Sequence, residues 1–522
     1  MSAAPSAQTL KVTDAGQRGW ARAQSVALVG VVGHVIDIEV HLGSGIPGLT
    51  IVGLPDASLS EAKDRVRAAM ASTGVPLPQR RITVNLAPAS LPKRGSGFDL
   101  AIALSVLIAA GMIQPEALRE VVVIGELGLD GSVHGVRGIL PAVVAAANEG
   151  IATIVVPAEN AAEACLVPGM RVIGAQSLGQ VASELGVSVP LRAPASRRTR
   201  EHAAGGPQRH GDMADVIGQP EAKLAIEVAA AGGHNLLMTG EPGVGKTMLA
   251  SRLPTLLPDL TDQQSVEVTS IHSLAGEFDS SAGLIRRPPF QAPHHTATAA
   301  AIVGGGSGIP RPGAISLAHH GVLFLDEAPE FSARVLQTLR QPLEAGELTI
   351  HRSGAIARFP ASFQLVMAAN PCPCGKPGDQ CGCTSLTQRR YFSRLSGPLL
   401  DRVDLYTTLT RVSGVRTDVA HESSRVIAAR VARARDAAAE RLRGTPWSVN
   451  GNTPGSWLRS RWRPDPRITQ PLDQALTRGH MSLRAADRVV KVAWTLADLD
   501  GEQSPNRAHI AQAVAMRTMG PA

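Results

Sequence analysis

His234-Asn235-Leu236-Leu237-Met238-Thr239 runs directly into Gly240-Glu241-Pro242-Gly243-Val244-Gly245-Lys246-Thr247, and Met248 to Leu253 follow with helical character. The first six residues read as a buried strand. The next eight fit G-x-x-x-x-G-K-[ST], in which glycines let backbone N–H groups turn inward around phosphates. The helix that follows offers its positive end, Lys246 reaches the β and γ phosphates, and Thr247 offers a hydroxyl to Mg²⁺. Strand, glycine loop and helix stand in the order that a P-loop ATPase core requires, with the whole loop (Gly240, Glu241, Pro242, Gly243, Val244, Gly245, Lys246, Thr247) as the ATP-binding element.

Working outward, Gly321-Val322-Leu323-Phe324-Leu325-Asp326-Glu327 is an apolar strand that ends in two carboxylates, a Walker B arrangement. Asp326 is expected to organise Mg²⁺ with Thr247, and Glu327 to act as the base on the attacking water. A further strand, Phe363 to Ala369, ends at Asn370, where a sensor amide orients that water. Ser396-Gly397-Pro398-Leu399-Leu400-Asp401-Arg402-Val403-Asp404 carries an arginine beside an apolar turn, and Arg402 is expected to reach a neighbouring subunit's γ-phosphate. Arg394 competes for that role. Ser482-Leu483-Arg484 opens a helix running to about Leu499, a fitting place for a second sensor arginine, Arg484.

The chain has 522 residues, too many for one core, and several domains are expected. The fold class expected is α/β. An N-terminal tail (1–21) precedes an α+β domain (22–189), with β-branched runs at Val26 to Val32, Ile82 to Leu86, Val121 to Ile124 and Ile151 to Val156. Helical stretches alternate with them. Residues 190–212 have Pro, Gly and Arg without apolar periodicity and read as a basic linker. The ATPase core occupies 213–411, and a helical lid domain 412–522. A net charge of +7 and a pI near 9.5 suit a phosphate-rich partner, though over this length the bias is mild. No apolar run is long enough to span a membrane and the N-terminus lacks a signal-peptide core, so a cytoplasmic protein is expected.

Arg287 to Thr296, Gly313 to Glu327, Asn370-Pro371-Cys372-Pro373-Cys374-Gly375 and Leu395 to Asp404 together resemble the ComM/YifB family of magnesium-chelatase-like AAA+ ATPases. The resemblance extends from about residue 22 to the C-terminal helices. It implies a hexameric, cytoplasmic ATPase from the clade of magnesium chelatase and replicative helicases, using ATP and Mg²⁺. By that resemblance its function is remodelling of DNA, by branch migration or helicase-like action on incoming strands in natural transformation. The alternative is a chelatase-like or chaperone-like ATPase acting on a protein partner. In that clade a hairpin before the first sensor points into the ring pore. Here the hairpin is Thr349 to Arg358, with Arg352 and Arg358 available to DNA phosphates, unless it is an ordinary surface hairpin.

The N-terminal domain resembles the Lon-protease-like domain of this family, on an S5-like fold, through Leu91 to Asp99 and Ile124 to Gly138. The catalytic serine position falls on Gly97 and the lysine position on Arg137. Arginine does not give up its proton at working pH, so the domain is expected to be non-proteolytic. Ser96 is one residue off.

Cys372, Cys374, Cys381 and Cys383 form C-x-C-x6-C-x-C, enough thiolates for a tetrahedral Zn²⁺ site in one loop; the alternative is a loop of free thiols. Cys165, in an apolar context, is expected in the core. The pairs His294-His295 and His319-His320 are expected to offer one metal ligand each at most, since adjacent side chains diverge, and to serve in polar packing near nucleotide or DNA.

Overall fold

A computed structural model describes residues 19–53, 59, 61–75, 77–187, 211–305, 310–352, 355–376, 380–395, 397–411 and 421–518. Most of the expected linker and the first residues of the lid domain lie outside these. The described residues form two compact units, one from 19–187 with 279–283 and one from 211–278 with 284–518. No helix among the described residues is long and apolar enough to cross a membrane.

The first unit is built on a seven-stranded mixed sheet in the order β3-β4-β2-β1-β5-β8-β9. Its strands are β1 (Trp20–Val29), β2 (Val32–Gly43), β3 (Gly48–Val52), β4 (Arg81–Ala87), β5 (Val121–Val123), β8 (Thr153–Pro157) and β9 (Arg171–Ala175). A small ribbon, β6 (Glu126–Leu127) with β7 (Val133–His134), lies outside that sheet. The valine-rich run from Val26 to Val32, expected as one strand, is instead the tip of the β1/β2 hairpin, with Val29 paired to Val32 across the turn. Gly30 at φ 64 makes the reversal, a conformation that β-branched neighbours resist and glycine does not. The helix Asp99–Ala109 is buried along its whole length, as its nearly all-apolar sequence requires. Its one charge, Asp99, is met by Arg65 Nε at 2.6 Å.

Cys165 is exposed, contrary to its expected place in the core. The single helical turn Ala161–Ala164 points Glu163 and Ala164 inward and ends at Cys165, which faces out.

The second unit is organised by a five-stranded sheet in the order β11-β14-β17-β10-β18. The strands are β10 (Leu236–Gly240), β11 (Phe290–Gln291), β14 (Val322–Leu325), β17 (Gln364–Ala369) and β18 (Leu405–Leu409). Every neighbouring pair is parallel. β14 and β17 are buried residue by residue, the pattern of a parallel sheet covered on both faces. The helices Pro220–Gly232, Ser424–Arg441, Leu483–Asp500 and Arg507–Thr518 bury Ile226, Val431, Val489 and Ile510 in one core with β10 and β17. Two ribbons hang from this frame, β12 (Gly304–Gly305) with β13 (Arg311–Pro312), and β15 (Glu347–Arg352) with β16 (Ala355–Pro360). Asp212, read as the last linker residue, is held in place: its carboxylate accepts the N–H groups of Ala214 and Ser424.

Because parallel strands share one direction, the register sorts the predicted site residues between two edges. Thr239 pairs with Ala369, and Leu325 with Met367, so Gly240, Asp326 and Asn370 follow at the carboxyl edge. Asn235 and Asp404 lie at the opposite, amino edge, where the Asn235 carbonyl accepts from the Asp404 and Leu405 N–H groups.

Candidate active site

At the carboxyl edge the loop Glu241 to Gly245 leaves β10 and re-enters helix at Lys246. Gly243 and Gly245 have φ of 80 and 98, conformations that glycine adopts without strain. Lys246 is buried, and its ammonium donates to the carbonyls of Gly240 at 2.7 Å and Glu241 at 2.9 Å and to Asn370 Oδ1 at 3.0 Å. All three acceptors are neutral. Burial lowers the lysine's pKa, while the charges of Asp326 and Glu327 work against that shift. A desolvated ammonium with no carboxylate in contact is matched to an anionic ligand, and the phosphates of a nucleotide fit that requirement.

Thr247 Oγ1 donates to Asp326 Oδ2 at 2.6 Å, and the other Asp326 oxygen accepts the Glu327 N–H at 2.9 Å. A hydroxyl and a carboxylate in contact beside the phosphate-binding loop are the hard oxygen donors that Mg²⁺ takes. Glu327 itself has φ 51, a left-handed conformation uncommon outside glycine and associated with functional sites. The tight reversal carries its carboxylate out of the strand line to His295, whose Nδ1 lies 3.1 Å from Glu327 Oε2. His295 follows β11 by four residues, so the expected polar role of His294-His295 is met at a specific partner. Neither that pairing nor the one of Arg411 with Glu241 at 2.8 Å is visible in the sequence pattern. Residues 32 and 170 apart meet only through the strand order. A histidine pair just after a strand of the ATPase core was the signal available for the first.

Arg402 and Arg484 are brought together, but not with Lys246 of the same chain. Both line an open cleft of about 760 Å³ at the amino edge, with Asn235, Asp404, Arg488 and Trp447. The strand from Asn235 to Glu241 rises about 20 Å, further than an arginine side chain extends. Asn235 Nδ2 donates to the Arg402 carbonyl at 2.9 Å, which fixes the backbone there. The Arg402 guanidinium contacts Glu344 and the Pro398 carbonyl, while its buried Nε has no partner among the described residues. Burial, and then the charges of Arg340, Arg488 and Arg484, lower its pKa. Asp404 is fully buried, which by itself would raise a carboxyl pKa. Arg488, His234 and Lys491 nevertheless hold it below the usual carboxylate range. Arg394, the competing arginine, pairs with Glu330 at 2.8 Å and is half-exposed.

In the β15/β16 ribbon, Leu348, Ile350, Ala357 and Phe359 are buried and Ile356 and Arg358 point outward, the alternation of a half-buried hairpin. Arg358 pairs in register with Thr349. Arg352 ends β15, and its side chain lies outside the described residues, as do Ser353 and Gly354.

The histidine pair His319-His320 departs from expectation. Adjacent side chains were to diverge, yet Nε2 of His319 and of His320 lie 3.4 and 3.0 Å from one oxygen of Glu267. The cause is the φ of 55 at His320, which abolishes the alternation of an extended chain. His319 Nδ1 accepts the Ser362 N–H at 3.0 Å, so the neutral ring carries its proton on Nε2 and donates it to Glu267. Burial, followed by the charge of His320, pushes the His319 pKa down to about 4. Both ring nitrogens of His319 are engaged, which leaves it no lone pair for a metal.

The four cysteines converge. Cys372 Sγ lies 3.1 Å from Cys374 Sγ and 3.4 Å from Cys381 Sγ, and all four sulfurs fall within 4.8 Å of one another.

In the first unit, a Cβ at Gly97 would lie 3.4 Å from Val136, next to Arg137. The two positions aligned with the peptidase dyad, Gly97 and Arg137, carry neither a hydroxyl nor a titratable base. The Ser96 hydroxyl donates to Glu126.

With this geometry in view, three family models match: "Magnesium chelatase, subunit ChlI" over residues 212–417, "Subunit ChlI of Mg-chelatase" over 38–160, and "Magnesium chelatase, subunit ChlI C-terminal" over 421–517. An uncharacterized protein of Mycobacterium tuberculosis is 50% identical over 501 residues, 96% of this chain and 99% of that protein. Competence protein ComM of Haemophilus influenzae is 42% identical, across 95% of this chain and 97% of its own length. YifB of Escherichia coli, an uncharacterized protein, is 40% identical across 94% and 96%. The P-loop, the paired carboxylates and these full-length likenesses together make the chain a member of the ComM/YifB family of magnesium-chelatase-like AAA+ ATPases.

Proposed function

We propose that the chain hydrolyses ATP as one subunit of a ring, a hexamer by family likeness, and spends that energy remodelling branched or single-stranded DNA. The observation that carries the ring is the division of the machinery between two edges of one sheet. Lys246, Thr247, Asp326, Glu327 and Asn370 stand at one edge, and Arg402 and Arg484 at the other, beyond reach within one chain.

In this reading Lys246 and the loop Gly240 to Thr247 bind the phosphates of Mg–ATP, and Thr247 and Asp326 take its metal. Glu327 accepts the proton of the attacking water and Asn370 orients that water. As the bond between the γ-phosphorus and its bridging oxygen breaks, Arg402 of the adjacent subunit stabilises the developing charge, with Arg484 beside it. His295 holds the Glu327 carboxylate in the resting subunit.

The DNA substrate is supported by the likeness to a protein named for competence and by the outward Arg358 of the hairpin. The magnesium-chelatase family matches favour a second reading, an ATPase that remodels a protein partner. A three-strand branch-migration assay with the purified chain separates them. ATP-dependent strand exchange that disappears in Glu327→Gln supports the DNA reading, and no exchange with intact ATP turnover favours the protein partner.

A further inference from the structure

We infer that Cys372, Cys374, Cys381 and Cys383 bind one Zn²⁺ ion, a structural metal seated beside the nucleotide loop and independent of whether the motor acts on DNA. Four thiolates at a Zn–S distance of about 2.3 Å stand about 3.8 Å apart in a tetrahedron. The observed separations of 3.1, 3.4 and 3.6 Å fall somewhat inside that value, and the fourth sulfur, Cys383, falls within the same 4.8 Å group. Residues nine apart in sequence, Cys372 and Cys381, come this close only if the chain folds back on itself. Cys372 is buried, but packing does not account for the other three, since Cys374 is exposed and Cys381 and Cys383 are half-buried.

Backbone N–H groups supply the hydrogen bonds that thiolate sulfurs need. The N–H groups of Cys374 and Gly375 are directed at the Cys372 sulfur, and that of Lys376 at Cys374. The Gly375 N–H also closes the turn onto the Cys372 carbonyl at 3.3 Å. Hydrogen bonds of this kind stabilise the anionic sulfur and orient it. An iron–sulfur cluster would spread its four cysteines around several irons, whereas sulfurs within 4.8 Å suit a single ion. Four soft thiolates in tetrahedral reach select Zn²⁺ over Mg²⁺ or Ca²⁺.

The placement gives the ion a task. Cys372 lies two residues beyond Asn370, the acceptor for Lys246. Gly375 sits against the nucleotide loop, so close that a Cβ there would meet Pro242 Cγ at 3.3 Å. The metal clamps the segment that carries the sensor amide onto the P-loop.

Elemental analysis and native mass spectrometry of the full chain, purified without a metal-binding tag, test the site. One zinc per chain is expected, and Co²⁺ substitution should give the intense thiolate-to-cobalt absorption of a tetrahedral S₄ site. Cys381→Ser/Cys383→Ser should lose the zinc while keeping the helical circular dichroism of the parent, with ATP affinity in excess Mg²⁺ reduced at least threefold. Metal-free protein with four freely reactive thiols, a disulfide among them, iron in place of zinc, or zinc retained in the double variant would each overturn the assignment. Unchanged ATP affinity in the zinc-free variant would overturn the clamp. Should the double variant fail to fold, the metal content and cobalt spectrum of the parent decide alone.

Discussion

Replacing Arg402 by alanine removes a guanidinium at the amino edge of the sheet, set off from the Lys246 loop of its own chain by the rise of about 20 Å from Asn235 to Glu241. If that arginine serves only the adjacent subunit, Arg402→Ala loses turnover by 10³-fold or so, in the range of arginine-finger losses, while ATP binding at its own P-loop is preserved. Lys246→Ala is the complementary defect: no ATP is held, but an intact arginine is still presented. In rings assembled from equal amounts of the two, an interface works when the site comes from one variant and the arginine from the other. Random assembly makes that chance one half times one half, so turnover recovers to about one quarter of wild type. The assay is steady-state phosphate release from the separate variants and from their mixture after co-assembly, with nucleotide binding followed by a fluorescent ATP analogue. A mixture no more active than the sum of its parts would refute the reasoning, as would an Arg402→Ala protein that turns over normally.

Other consequences are equally direct. Arg484→Ala, in the same cleft, should also lose turnover while keeping ATP affinity, and complementation by Lys246→Ala tells whether it too acts across the interface. The His319 imidazole, held at about 4 against an ordinary 6.5, is neutral in the folded protein and protonates more readily once unfolded. Its contribution of about 3 kcal/mol is therefore fully present above pH 6.5 and lost as pH falls toward 4; His319→Gln should flatten the urea-unfolding stability over that window, and an unchanged slope would contradict the burial argument. At Gly321 a Cβ would lie 2.1 Å from the Pro289 carbonyl, the acceptor for the Val322 N–H. Gly321→Ala should force β11 from β14 and cost about 3 kcal/mol in chemical denaturation.

The nucleotide loop and the two strands that end in Asp326-Glu327 and Asn370 were legible because each is local: an apolar run, a turn of fixed chemistry, then a charged or amide residue. What escaped depended on tertiary placement. The edge of the sheet on which Arg402 and Arg484 stand follows from strand direction, and their shared cleft joins residues 82 positions apart. His295 finds Glu327 only because β11 lies beside β14. Val26 to Val32 has the composition of one strand, and nothing in its side chains separates a strand from a hairpin tip except Gly30. Cys165 faces out because a single helical turn ends one residue before it. His320 joins His319 at Glu267 through one positive φ, which periodicity arguments do not reach. The four cysteines illustrate the converse: spacing alone left zinc and free thiols open, and the convergence of the sulfurs favours the metal.

In the proposed function Glu327 is the base for ATP hydrolysis and DNA engages the motor. Phosphate release by wild-type protein and by Glu327→Gln, each with and without forked DNA, tests both parts in one experiment. Wild-type turnover should rise several-fold with the fork, and the variant should bind ATP yet hydrolyse it at least about a hundredfold more slowly in either condition. Turnover indifferent to DNA would contradict the DNA assignment, and an active Glu327→Gln protein would contradict the catalytic one.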